Sequence, residues 1–374
     1  MSGLTDKVKE CSEATHPIKI PPQRIRIPTA DRKKIHREIE KLFNTGMFAY
    51  GHHVKLFEQQ FAKFCGRKYA VAMNSCTTAL EVAFRSIYPN NRITVAVPTN
   101  TYMASANAVI NAGHTVKLVD CDDDMNMSVD ELKKVIDQVQ AVLLVHIGGN
   151  ISERSLEIRE LCESRGMPLY EDAAHAHGST HPYDTNLKAG NIGHISCFSF
   201  YPTKMMTVGG EGGMMLTDER RIAELARFYR HHGRMNPKKD KFNYTHIQAG
   251  SNFCMDEIRA IIGLTQLKRL PEFIANRHEI AKIYIKKFPS LTTVRFAGNC
   301  YKFIIMDKIK VLSPDVSLSG PVYRVPLHLQ PYLFEGPGKY PKAEDLCFRH
   351  NCLPIYNDMT VEEAKFVVDN IQVE

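Results

Sequence analysis

No stretch of the 374-residue chain supplies the roughly 18 consecutive apolar residues that a membrane-spanning helix needs, so no transmembrane segment is expected. Ten cysteines are present but never as a CxxC pair. That removes the zinc-ribbon spacing and the small disulfide framework, predicts no metal site, and makes a reducing cytosol the simplest setting. No GxGxxG stands at the first strand-to-helix turn, which excludes the dinucleotide-binding fingerprint. Repeats and low-complexity tracts are missing. So is any platform of interleaved basic and aromatic residues, and nucleic acid is not an expected partner. The opening "MSGLTDKVKECSEATHPIKIPPQR" is polar and lacks the apolar core of a signal peptide. With Pro17, Pro21 and Pro22 it reads as an extended lead-in over residues 1–24. The expectation is a cytoplasmic protein.

What is present is ordinary for a globular chain: 44% hydrophobic and 24% charged residues, enough for a large domain with a smaller partner. Lys and Arg exceed Asp and Glu by 48 to 41, a net charge of +7. This mild excess favours anionic ligands such as phosphates.

Apolar spacing predicts helices over "DRKKIHREIEKLFNT" (31–45) and "VKLFEQQFAKFCG" (54–66). Strands and helices then alternate. "YAVAMNS" enters the helix "CTTALEVAFRSI"; "ITVAVP" (93–98), "HTVKLVD" (114–120), "AVLLVHI" (141–147), "MPLYEDAA" and "HISCFSF" (194–200) are further strands. Such alternation implies βαβ units, a mostly parallel sheet and an α/β fold. From about residue 254 the pattern shifts to one or two long helices, with a break expected at Pro271, then short strands and a last helix. The expected organisation is the lead-in 1–24, a large domain 25–260 and a small α+β domain 261–374, the N-terminal helices packing with the latter.

Ligands of open parallel sheets bind outside the carboxyl ends of the strands. That rule brings Ser75 to Thr78, Asn100 to Tyr102, His146, Asp172 to His175 and Ser199 to Lys204 to one edge. Lys204 sits in "FSFYPTKMMTVGGEGGMML", an apolar stretch where a charged ammonium is costly to bury. Thr77 and Thr78 open a helix, where free N–H groups and the helix dipole favour an anion. Pyridoxal phosphate would use all of these: a lysine for its aldehyde, a carboxylate for its ring nitrogen, donors for its phosphate and a flat group for its face. Taken singly, each residue also has a plain explanation. Lys204 reads as a solvated loop residue, Asp172 as a turn former, the threonines as an N-cap, Tyr102 as core, His175 and His177 as surface or filler.

Eight blocks in order carry a more specific signal. "FAYGHHVKLFEQQFAKFCGRKYAVAMNSCTTALEVA", "VPTNTYMASANAVINAG", "VHIGGN", "LYEDAAHAHG", "FSFYPTKMMTVGGEGGMM", "FYRHHG", "GSNFCMDEIRAIIGLTQLKRL" and "VPLHLQPY" resemble, from about 24 to 370, the DegT/DnrJ/EryC1/StrS group of sugar aminotransferases. The resemblance implies fold type I and pyridoxal 5'-phosphate. It implies that Lys204 carries the cofactor and shuttles protons, and that Asp172 pairs with the ring nitrogen. Cys76, Thr77 and Ser199 would hold the phosphate, Tyr102 would stack on the ring, and His175 would contact the phenolic oxygen or lie close to the ring. Asn252 would reach the cofactor phosphate of a neighbouring subunit, which requires a homodimer with sites at the interface. Phe48, Tyr50 and His328 would lie on the sugar side. The implied reaction moves an amino group from an amino acid, glutamate or glutamine, to a nucleotide-linked keto sugar; a keto-cyclitol acceptor and a regulatory, non-catalytic role are the alternatives. Some relatives carry histidine for the lysine and deoxygenate, a branch that Lys204 disfavours. Cys76 stands where glycine is common, Cys254 where arginine is frequent, and "CYKFIIMDKIKVLSPDVSLSG" matches poorly.

Overall fold

The computed structural model describes residues 18–234, 245–288 and 298–374; most of the lead-in, residues 1–17, lies outside them. In chain order come α1 (Thr29–Thr45), α2 (His52–Cys65), β1 (Tyr69–Met73), α3 (Cys76–Ile87), β2 (Thr94–Pro98), α4 (Met103–Asn111), β3 (Thr115–Val119), α5 (Val129–Val135), β4 (Ala141–Val145), α6 (Ser155–Glu163) and β5 (Leu169–Asp172). A hairpin, β6 (Thr180–His181) and β7 (Asp184–Lys188), precedes β8 (Ile195–Ser199), β9 (Gly213–Thr217) and α7 (Arg220–Tyr229). The remainder is α8 (Glu257–Lys287), β10 (Phe303–Ile305), β11 (Ile309–Val311), α9 (Pro341–Arg349), β12 (Asn351–Leu353), α10 (Val361–Asp369) and β13 (Ile371–Val373).

The punctuation is local chemistry. Gly46 and Gly66 end α1 and α2 in the left-handed conformation. Ser75, Ser128 and Asp256 cap α3, α5 and α8 through side-chain oxygens, and Thr360 with Glu363 closes a capping box on α10. Seven strands form one sheet in the order β1-β9-β8-β5-β4-β2-β3. Only β9 opposes its neighbours; the other pairings are parallel. "AVLLV" of β4 is buried at every position, as expected of a central strand covered on both faces. Two apolar cores pack on the sheet. The expected α/β fold with a mostly parallel sheet is the observed one.

A third core joins Ile20, Ile280, Tyr284, Phe303, Leu353 and Val367 around the two-stranded pairs β10–β12 and β11–β13. The break expected at Pro271 is absent, because α8 continues through it. The proline forfeits one backbone hydrogen bond. Buried Leu267, Leu270 and Phe273 hold that segment to the large core, while Ile280 and Tyr284 hold the far end to the small one. The boundary set at residue 260 therefore falls within a single helix. α1 packs on the front of α8 through Ile35, Leu42 and Ile261 and through Asp31 to Arg269 at 3.1 Å. What the small core receives from the N-terminal region is Ile20, bridged to Val316, rather than the helices. No helix among the described residues is long and apolar enough to cross a membrane.

Candidate active site

Parallel strands end together, so β1, β2, β4, β5 and β8 release their loops at one sheet edge. Register fixes this edge: Gly213, which begins antiparallel β9, faces Met73 on one side and Ser199 on the other. A cleft of about 1060 Å³ opens there. Seven of the eleven residues to which the family resemblance gives a role line it: Cys76, Thr77, Tyr102, Asp172, His175, Ser199 and Lys204.

The floor is the start of α3. The Ser75 hydroxyl accepts from the Thr78 N–H at 3.1 Å, which leaves the N–H groups of Cys76 and Thr77 without an acceptor inside the helix. With the helix dipole behind them they form an anion cradle. The cradle depends on Gly213. A Cβ there would run into the Ser75 carbonyl and stand 2.5 Å from the Cys76 nitrogen. Gly213→Ala is therefore expected to displace the helix start, costing about 1–3 kcal/mol. Thermal unfolding should show the loss, and a cofactor titration should show weakened phosphate retention.

Asp172 ends β5. Its carboxylate accepts from the Ser105 hydroxyl at 2.8 Å and from the Ala174 N–H at 3.1 Å. Burial raises its pKa; the Ser105 and Ala174 hydrogen bonds and the Lys204 charge oppose that without cancelling it. Beneath it lies a pair that the sequence reading did not identify. Glu171 is wholly buried and meets His146 Nε2 at 2.9 Å. It also accepts from the N–H groups of Gly190, Ile192 and Gly193. Burial works against the Glu171 carboxylate, but His146 and these amides hold it below its usual range. The pair fixes the carboxyl ends of β4 and β5.

Lys204 is half-buried. Its Nζ lies 5.4 Å from the centre of the Tyr301 ring and takes no hydrogen bond or ion pair among the described residues. Tyr301 stacks on His175, 4.5 Å between ring centres. Burial holds the His175 imidazole well below its ordinary pKa, and the charges of Lys204 and Lys302 push the same way, so the ring is neutral. Tyr323 lies between His175 and Tyr102, at 5.9 Å and 6.2 Å. Tyr301, Lys302 and Tyr323 are cleft residues that sequence reasoning missed. They come from a segment without a strong block, and only the fold brings it here.

The other four predicted residues stand elsewhere. His328 is fully buried, with Nδ1 2.8 Å from the Thr99 hydroxyl and Nε2 3.0 Å from a Glu344 oxygen. Both nitrogens are engaged in tying strand ends to α9, and its neighbours Leu327 and Gln330 line the cleft. Phe48 and Tyr50 are exposed and outside this chain's own cleft. Tyr50 packs on His231 at 4.7 Å. Asn252 is exposed, bridged to His231 on the same face.

Residues 29–372 match the profile of the DegT/DnrJ/EryC1/StrS aminotransferase family. The chain belongs to this family. Among curated relatives, GDP-perosamine synthase of Escherichia coli is 31% identical, over 89% of this chain and 93% of its own. The UDP-4-amino-4,6-dideoxy-N-acetyl-beta-L-altrosamine transaminase of Campylobacter jejuni is 28% identical, over 86% and 89%. The solved structure of S. venezuelae DesV in complex with a ketimine intermediate superposes with a TM-score of 0.84 at 26% identity, covering 94% of this chain and 97% of that one.

Membership makes the protein a pyridoxal-phosphate-dependent aminotransferase, and the cleft fits that cofactor. An uncommitted amine, a buried carboxylate destabilised by its own burial and an anion cradle share one cavity. A cationic ring nitrogen would relieve the desolvation that Asp172 suffers.

Proposed function

We propose that this aminotransferase passes the amino group of an amino acid, with glutamate as donor, to the keto group of a nucleotide-linked deoxyhexose, and that it does so as a cytoplasmic homodimer. The carrying observation is the unpartnered Lys204 amine across one cleft from Asp172. The GDP- and UDP-linked amino sugars in the names of two relatives support the acceptor class, and the chain's charge of +7 suits a diphosphate.

When bound, pyridoxal phosphate supplies an aldehyde that carries the amino group and a ring that accepts electron density as the substrate carbon loses its proton. The protein's residues do the rest. Lys204 would hold the aldehyde and, as a free amine, would take and return the proton at the substrate carbon. Asp172, fixed by Ser105 and Ala174, would keep the ring nitrogen charged. Cys76 and Thr77 amides with the Ser199 hydroxyl would hold the phosphate, and Tyr102 would cover one face. Neutral His175, held by Tyr301, supports the ring without adding charge.

The dimer reading rests on one face of the chain. Phe43, Met47, Phe48 and Tyr50 expose apolar side chains there, beside His231 and Asn252. An apolar patch of this kind marks an interaction site, and on it Asn252 would reach the partner's phosphate cradle while Phe48 and Tyr50 would border the partner's sugar.

The test is a panel of nucleotide-linked keto sugars and keto-cyclitols offered to the amine-loaded enzyme. A nucleotide-linked keto sugar should regenerate the resting absorbance and yield the amino sugar. Turnover of cyclitols alone, or of nothing, would overturn the proposal. Sedimentation should give twice the chain mass.

A further inference from the structure

Lys302 has no assigned role. It enters the cleft from the segment after α8, and the backbone that carries it is held from several sides. Arg277, itself buried, donates to the carbonyls of Cys300 and Tyr301 at 3.1 Å each. The Tyr301 N–H donates to the Asn299 side chain at 2.9 Å, and the Lys302 N–H donates to the Gly148 carbonyl at 3.1 Å. Cys300 is forced to a φ of 51°, a left-handed conformation that costs a non-glycine residue about 1–3 kcal/mol and is retained where surroundings over-determine it. The result is that Tyr301 and Lys302 are aimed inward.

The two lysines then share one ring. Nζ of Lys204 and Nζ of Lys302 stand 5.4 Å and 5.7 Å from the centre of Tyr301, so their separation cannot exceed the sum of those distances. Among the described residues Lys302 has no carboxylate partner. Arg324, also on the cleft wall, commits one guanidinium nitrogen to the Phe348 carbonyl at 3.1 Å. Against these cations the cleft offers Glu211, once Asp172 is matched to the cofactor. A site with spare positive charge in the same cleft as the reacting amine is complementary to an anion.

Resting on the function proposed above, we infer that Lys302, with Arg324 lining the same cleft, is the specificity-determining anion holder of this cleft, gripping the carboxylate of the amino donor or the diphosphate of the acceptor. Both substrates carry anionic oxygens at a distance from the carbon that reacts. A point charge on a rigid backbone fixes that distance and selects substrates by it.

Lys302→Met keeps the apolar stem and removes the charge; Lys302→Arg keeps the charge. Cofactor absorbance and borohydride-fixed mass on Lys204 should match the unaltered protein in both. The two half-reactions are then followed separately by the cofactor spectrum. Lys302→Met should raise the half-saturation constant for at least one substrate by about tenfold or more, the scale of a lost charge-assisted hydrogen bond, with the limiting rate within about twofold. Lys302→Arg should recover most of that loss. A change in the donor half alone identifies the carboxylate, one in the acceptor half alone the diphosphate, and either supports the proposal. Unchanged constants in both halves, or a fall in limiting rate alone, overturn it. Glutarate and inorganic pyrophosphate, as unreactive competitors, separate this result from failure of the acceptor assignment. If no keto sugar reacts with the unaltered enzyme, weaker competition by one of them in Lys302→Met still supports the anion site, and equal competition still sinks it.

Discussion

Lys204→Ala should lower transamination by at least about three orders of magnitude, within the range that a positioned proton-transfer group contributes and before the loss of covalent anchoring is counted. The expectation follows from position. Among the described residues the Lys204 amine holds no structural partner; what it touches is the face of Tyr301. Stability should therefore stay within about 0.5 kcal/mol of the parent, and the melting curve separates lost chemistry from lost fold. The alanine variant should still take up cofactor through the α3 cradle, but without an absorbance band that borohydride fixes to the chain. A small external amine should restore part of the rate. Retention of the borohydride-fixed adduct on another side chain would remove Lys204 from its role.

Asp172→Asn is expected to cost several orders of magnitude in kcat, because the neutral amide cannot hold the ring nitrogen as a cation. Shape is conserved, and the Ser105 hydroxyl can turn to accept from the new amide, so the pocket should persist. Stability gives a second readout of opposite sign. Burial raises the Asp172 pKa in the cofactor-free chain. For a carboxyl group this means that the ionised form opposes folding, and the penalty grows as pH rises above the unfolded value. The asparagine variant without cofactor should thus melt no lower than the parent at neutral pH. With cofactor, the rise in Tm that binding confers should shrink, since the charge pairing is gone. A variant with near-parental kcat, or an undiminished cofactor-induced rise, would show that the carboxylate does not pair with the ring.

Strand ends were the most legible part of the sequence. "AVLLV" is a continuous apolar run and "ISCFS" is buried at every position, and their terminal residues arrive at one edge as the parallel-sheet rule requires. β9 was hidden because its first residue, Gly213, closes a glycine cluster that looks like loop. Its need is steric, created by Ser75, and no local signal reports a neighbour more than a hundred residues away. Pro271 misled for the opposite reason: a local rule predicts a break, but tertiary burial on both sides overrides it. His328 has the chemistry of a ligand-binding residue and spends it inside the fold. Tyr301 and Lys302 become visible only when buried Arg277 bolts their backbone in place.

The cleft's walls have separate origins. Its floor hangs from the sheet edge, and its far side is a strap, residues 299–330, held by Arg277 and Gly148. This is a division of labour. The reacting machinery can stay fixed while drift in the strap re-sizes the space for a new sugar, giving one chassis a changeable glove.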